Sequence, residues 1–229
     1  MKAIVFTEKN KISYQDITTP SLEKEQVLIA VRASGMCHTD LEILRGNYGS
    51  SAFPLVPGHE YAGTVVQIGD EVTKVKVNDN VVVDPNIECG YCLSCQNNNA
   101  HLCETLGAYG VTVNGGFAQY SVVHQNALHD IEDLPFHIAA LAEPLGCALN
   151  GVGAVNAGAS NNALIFGAGP MGLLFALAAK DKGAKKITFV DISSDRLILA
   201  ESMGFNAMQS NEENLANLNK EFDLVVDAT

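Results

Sequence analysis

Four cysteines, Cys89, Cys92, Cys95 and Cys103, stand in the pattern C-x2-C-x2-C-x7-C, with Gly90 available to turn the chain sharply between the first two. Thiolates this close in sequence can close tetrahedrally around one zinc, leaving no coordination position for a substrate, so such a site would be structural. Two disulfides or an iron-sulfur cluster would draw on the same residues. A reducing compartment disfavours the disulfides, and an iron-sulfur site shares only the opening part of the spacing. A second constellation joins Cys37, in Gly35-Met36-Cys37-His38-Thr39-Asp40, to His59-Glu60, in Pro57-Gly58-His59-Glu60-Tyr61. One thiolate, one imidazole and neighbouring carboxylates form a mixed ligand set. Taken alone, Cys37 also reads as a small buried apolar residue and His59 as a hydrogen-bonded loop histidine. Spacing by itself leaves this second site open.

The third constellation is Gly167-Ala168-Gly169-Pro170-Met171-Gly172, which directly follows an apolar run expected to be a strand and opens an Ala/Leu-rich run expected to be a helix. That context gives an otherwise weak G-x-G-x-x-G its meaning. The first glycine permits the tight turn, the second lets a pyrophosphate approach the backbone at the positive helix end, and the third allows close helix–strand packing. Asp191 closes the next expected strand 19 residues after Gly172, where a carboxylate can bond an adenosine ribose and repel a 2′-phosphate, so NAD is preferred over NADP. Arg196 weakens that exclusion, since a guanidinium can pair a 2′-phosphate.

The elements that must position these residues change in texture along the chain. Up to about residue 130 short β-rich runs such as 26–31 and 80–83, punctuated by Gly, Pro and Asn, predict an irregular antiparallel β domain. After about Gly153 the pattern is strand (163–166), glycine turn, long helix, strand (186–190), helix (195–203) and strand (222–226), a βαβ alternation that builds a parallel sheet. The stretch 210–220 reads as a helix or a loop. The expected class is a two-domain α+β chain: residues 1–152 a metal-binding domain, residues 153–229 an incomplete α/β Rossmann domain, with a helix containing Pro144 bridging them. Cys147, among Leu145, Ala148 and Leu149, reads as core.

With 229 residues and 47% hydrophobic content the chain can bury a sizeable core. Its 26 acidic against 14 basic residues, a net charge of -12 spread along the chain, argue against nucleic acid as a partner. The opening residues lack a signal-peptide pattern, and the longest apolar run is far short of the roughly 20 residues that span a membrane. These features lead us to expect a cytoplasmic protein with no membrane partner.

The stretch Gly58-His59-Glu60-x-x-Gly63-x5-Gly69-x2-Val72 resembles the signature of the zinc-containing medium-chain alcohol dehydrogenase family. The cysteine lobe and the glycine-rich turn then follow in that family's order, so the resemblance spans essentially the whole chain. It implies a GroES-like fold for the first domain, a structural zinc on the four cysteines, and a catalytic zinc on Cys37 and His59, with Glu60 a ligand or an exchanging carboxylate. Glu143, in Ala142-Glu143-Pro144-Leu145, is a further candidate ligand, because Glu-Pro-Leu is similar to the sorbitol, other polyol and threonine dehydrogenase branches. The implied reaction passes a hydride from an alcohol or polyol to NAD. Thr39 resembles the family's proton-passing hydroxyl, and Asp40 is positioned to orient a histidine ligand.

Two departures stand out. Glu42 replaces a histidine that many relatives carry, and Asn78-Asp79-Asn80-Val81 replaces Gly-Asp-Arg-Val, a turn that Asn can still make in the left-handed region. Relatives run on for about another hundred residues, completing the nucleotide sheet. A competing expectation is therefore a zinc-binding remnant without turnover, and threonine or simple alcohols remain alternative substrates. Full-length relatives are expected to be homo-oligomers acting on a small-molecule alcohol.

Overall fold

Near-continuous apolar runs with turn residues at their ends dictate the first half of the chain. The computed structural model describes residues 1–49, 52–216, 218 and 222–229. β1 (Lys2–Glu8) and β2 (Lys11–Asp16) form an antiparallel hairpin. There follow β3 (Gln26–Ser34), α1 (His38–Leu44), β4 (Tyr61–Ile68), β5 (Asn80–Val83), β6 (Asn86–Ile87), α2 (Leu93–Gln96), β7 (Gly107–Ala108), β8 (Tyr120–His124), β9 (Leu128–Asp130) and α3 (Phe136–Ala139). Five of these strands make an antiparallel sheet in the order β8-β3-β4-β5-β9. Alternate residues point to opposite faces. One face buries Val27, Ile29, Tyr61, Val65, Val81 and Val123, while the other packs Ala62 and Val82 against Ile131 and Ala139. Covering both faces is why these strands read as unbroken apolar runs. β6 and β7 pair with each other and frame the cysteine lobe. Asn78 turns the chain ahead of β5 at φ 78°, so the turn expected there survives without its glycine.

The second half is a parallel sheet with helical crossovers: α4 (Ala142–Ala154), β10 (Asn162–Phe166), α5 (Pro170–Asp181), β11 (Lys186–Asp191), α6 (Ser194–Ser202), β12 (Asn206–Gln209), α7 (Glu212–Ala216) and β13 (Leu224–Asp227). The order β12-β11-β10-β13, all parallel, is that of the first four strands of a dinucleotide-binding sheet. Ile165, Phe189, Ala176 and Phe175 lie at its core. Strand β12 was not anticipated, because Asn206-Ala207-Met208-Gln209 lacks β-branched residues and is held by pairing with β11. Within the stretch 210–220 the structure shows α7, and residues 217, 219 and 220 lie outside the described residues.

The chain divides into two compact units, Met1–Glu143 and Pro144–Thr229, earlier than the 152/153 change of texture. The physical reason is that Ala148 and Val152 of α4 are buried in the second unit's core, so the bridging helix belongs by packing to the parallel sheet. Cys147 is exposed rather than core, because it falls on the other side of that helix from Ala148 and Val152. Among the described residues no helix is long and apolar enough to cross a membrane.

One carboxylate joins β10 to β13 at their starts. Asp223 accepts hydrogen bonds from the Ser160 hydroxyl and from the backbone N–H groups of Asn161 and Asn162, which lower its pKa to about 2. A folded-state pKa depressed below the unfolded value near 3.9 contributes stability that is present above that value and lost as pH falls towards 2. Asp223→Asn should therefore melt at a lower temperature than the parent at pH 7, and the gap should shrink as pH falls from about 4 towards 2. Parallel melting curves that keep a constant gap would remove Asp223 from this role.

Candidate active site

Antiparallel pairing brings the mixed ligand set together. β3 and β4 are in a register that places Ser34 opposite Tyr61, so the residues just after one strand meet those just before the other. Gly35 N–H donates to the Glu60 carbonyl at 2.7 Å, and Cys37 caps the N-terminus of α1. Cys37, His59 and Glu60 then present ligand atoms within 4.8 Å of one another. Asp40, 2% exposed, joins the two loops. Its carboxylate accepts from Cys37 N–H at 2.9 Å and Gly58 N–H at 3.3 Å, and Oδ1 stands 3.5 Å from His59 Nδ1. Thr39 Oγ1 lies 3.6 Å from Cys37 Sγ.

The electrostatics of this cluster call for a cation. Hydrogen bonding to His59 lowers the Cys37 thiol below its ordinary value, against the effect of burial. Burial disfavours a charged His59, yet Asp40 and Cys37 raise it to about 10. Burial raises Glu60, with the nearby charges of Glu143 and Asp40 adding to the rise. His59 Nδ1 is buried, and the Asp40 oxygen beside it lies outside hydrogen-bond geometry. A soft thiolate, an imidazole and a hard carboxylate converging in a half-buried pocket fit zinc, and three protein ligands leave a fourth position free. Glu143 is not among the three converging atoms, and it acts on Glu60 through its charge.

Gly35 has a part that its sequence context concealed. A Cβ on Gly35 would stand 2.1 Å from Glu60 Oε2, so a side chain there would push that carboxylate from its place beside Cys37 and His59. The signal lies in the contact between residues 25 apart, which no local pattern carries. Glu42, the departure noted above, is held as a carboxylate by Asn47 at 2.8 Å and Arg45 at 2.7 Å, with its pKa lowered.

The four remaining ligand candidates also converge. Cys89, Cys92, Cys95 and Cys103 present sulfur atoms within 4.8 Å of one another, and none is in a disulfide. The Cys92–Cys95 and Cys89–Cys95 sulfur separations are 3.5 and 3.9 Å. A tetrahedral zinc with Zn–S bonds of about 2.3 Å requires sulfurs about 3.8 Å apart. Cys89 N–H points at Cys103 Sγ and Cys92 N–H at Cys89 Sγ, at 3.4 and 3.3 Å, donors that stabilise thiolates. The backbone N–H groups of Cys89 and Thr105 lower Cys103 to about 6, whereas burial and Cys92 raise Cys95 to about 12. One member of a cluster so crowded resists ionisation unless a cation sits among them.

In the second unit the glycine-rich turn lies between β10 and α5. Gly167 has φ +95°, and a Cβ there would meet the Ala228 carbonyl at 2.4 Å; at Gly172 it would meet the Gly167 carbonyl at 2.1 Å. Gly169 caps α5 and Pro170 occupies its first turn, where a missing N–H costs nothing. Met171 is exposed in that turn. Asp191 ends β11, where it accepts from Ala168 N–H and Ser193 N–H, each at 2.7 Å, and lies 3.8 Å from Arg196 Nη1. Dinucleotide phosphates would find free backbone donors at this helix end, with a carboxylate and a guanidinium beside them.

A β unit with two zinc-compatible clusters, linked in one chain to a dinucleotide sheet, defines a metal- and nicotinamide-dependent oxidoreductase. Residues 23–133 match the alcohol dehydrogenase GroES-like domain. Over its whole length the chain is 48% identical to D-altritol 5-dehydrogenase of Agrobacterium fabrum, 69% of which it covers. Two solved structures share the fold. One is the alcohol dehydrogenase rspB of Escherichia coli CFT073 complexed with NADH, with a TM-score of 0.88 and 29% identity over 100% of this chain and 69% of that one. The other is a zinc-binding dehydrogenase of Sinorhizobium meliloti 1021 bound to NADP, with a TM-score of 0.91 and 30% identity over 99% of this chain and 69% of that one. The chain belongs to the zinc-containing medium-chain alcohol dehydrogenase family. It spans 53–69% of the length of the curated relatives it matches.

The Gly35 contact yields a direct test. Gly35→Ala should displace the Glu60 carboxylate and lower metal occupancy at the Cys37 cluster, read as loss of close to one zinc per chain by elemental analysis, with the cysteine lobe still loaded. Full occupancy in that variant would show that Glu60 does not depend on Gly35.

Proposed function

We propose that the chain is the zinc- and NAD-binding part of a polyol dehydrogenase, oxidising one secondary hydroxyl of a sugar alcohol. The observation that carries this reading is the 48% identity, over the whole chain, to a relative named as a D-altritol 5-dehydrogenase. The Glu-Pro-Leu sequence at Glu143 supports the same branch. In this reading Met1–Glu143 holds both metals and Pro144–Thr229 the dinucleotide. This reading places the protein in the cytoplasm, and the family resemblance implies a homo-oligomer for full-length relatives.

Cys37, His59 and Glu60 would hold the catalytic zinc, and Cys89, Cys92, Cys95 and Cys103 the structural one. When bound, zinc supplies the Lewis acidity that lowers the pKa of the substrate hydroxyl, and NAD accepts the hydride. Thr39, whose Oγ1 lies beside Cys37 Sγ, would accept the hydroxyl proton as its own passes to the nicotinamide ribose hydroxyl. Asp40, whose Oδ1 faces His59 Nδ1 at 3.5 Å, would orient the ring with Nε2 available to hold the metal. Glu143, whose charge raises the pKa of Glu60, would be the further carboxylate available to the metal that the Glu-Pro-Leu resemblance implies. Gly167, Gly169, Pro170, Met171 and Gly172 would receive the pyrophosphate at the α5 N-terminus, while Asp191 and Arg196 would meet the adenosine ribose.

Elemental analysis with NAD reduction on altritol, sorbitol, galactitol, threonine and ethanol tests this. About two zincs per chain and fastest turnover on a polyol are expected. Fastest turnover on threonine would move the chain to the threonine branch, and about one zinc without turnover would favour the non-catalytic reading. Thr39→Ala should cut kcat by about 100-fold or more at unchanged zinc content. A variant as active as its parent would take Thr39 out of the proton route.

A further inference from the structure

The cations of the second unit are concentrated in one place. Lys180, Lys182, Lys185 and Lys186 fall within seven residues of a chain whose net charge is -12. None of the four joins an ion pair among the described residues. Three of them, Lys180, Lys185 and Lys186, line a depression of about 80 Å³ together with Ala184, Phe205 and Asn206. Its lining includes no acidic residue.

Each simpler account covers only part of this. Lys180 sits in the last turn of α5, where one cation complements the helix dipole, and its ammonium lies 5.1 Å from the Phe205 ring centroid. Neither effect reaches Lys185 and Lys186, which enter β11 exposed to solvent. Asp223, just ahead of β13 and separated from β11 by β10, is engaged by Ser160, Asn161 and Asn162. Asp181 and Asp191 are the nearest acids in sequence, and both stand outside the lining. Like charges gathered this closely repel one another, and a bound anion would relieve that repulsion.

We propose that this depression is a binding site for a tetrahedral oxyanion, phosphate or the phosphate group of a small ester, held by Lys180, Lys185 and Lys186. The site is separate from the dinucleotide turn. Lys186 begins β11 and Gly167 follows the end of β10, and these strands are parallel, so the two sites lie at opposite ends of one sheet. Five residues of strand put about 17 Å between those ends, at roughly 3.3 Å per residue. At about 80 Å³ the depression matches one small anion. Lysines act here as point charges, so affinity should fall steeply with salt.

The test is a titration of inorganic phosphate into the whole chain, at ionic strength held constant with chloride, followed by ³¹P NMR and calorimetry. Saturable binding is expected, weakened tenfold or more in the double variant Lys185→Gln/Lys186→Gln and unchanged in Arg196→Gln at the dinucleotide turn. Circular dichroism of the double variant checks that it folds. Glycerol 3-phosphate, titrated in parallel, separates the sources: tighter binding than inorganic phosphate identifies an ester as the ligand, and equal or weaker binding identifies the free ion. The proposal is overturned if phosphate binds no better than chloride, if the double variant binds as its parent does, or if binding is lost instead in Arg196→Gln. The readout requires neither zinc nor turnover, so its failure leaves the polyol dehydrogenase reading untouched.

Discussion

The antiparallel register that sets Ser34 opposite Tyr61 governs the candidate metal centre. Two loops 22 residues apart, at Cys37 and His59, become neighbours only because the strands that lead into and out of them pair in that register. A slip by one residue would turn every side chain of β4 to the opposite face. The slip is opposed by the buried Val27, Ile29, Tyr61 and Val65, so the same apolar contacts that stabilise the sheet also fix the distance between ligands. Asp40 then locks the junction, with bonds to Cys37 and Gly58 and its carboxylate against the His59 ring.

The two metal clusters are maintained by different means. The Cys37 cluster inherits its geometry from a sheet with a core of its own. The cysteine lobe has a four-residue helix, a single 3-10 turn and few buried side chains beyond Cys92 and Cys103, while Tyr91, Leu93 and Leu102 lie open to solvent. Little hydrophobic burial is available to close it. Its order must come from sulfur ligation and the N–H donors that face the sulfurs, the situation in which metal binding and local folding are one equilibrium.

The sequence made some of this legible and concealed the rest for identifiable reasons. The cysteine lobe and the glycine-rich turn are local motifs, so their spacing carries the geometry, and the structure places Asp191 at the end of the second strand as the pattern requires. Pairing of Cys37 with His59 could be suspected from residue type but depends on strand register, which single-residue patterns do not encode. Gly35 escaped notice because its necessity appears only when Glu60 is seen in the space its side chain would fill. β12 lacks β propensity and exists through its neighbour. The helix around Pro144 was legible, since proline is tolerated in a first turn, but its allegiance turned on which face carries Ala148 and Val152.

The two backbone bonds to Asp191 have a further consequence. Its oxygens are already fixed by Ala168 and Ser193, so the side chain has little rotamer freedom left to lose when a polar group docks beside it. The same anchoring prevents it from swinging aside. A bulky anion arriving at the end of β11 therefore meets an immobile negative charge, and relaxed cofactor choice at this position would have to come from replacing the residue, because the carboxylate cannot move without leaving two backbone donors unpaired.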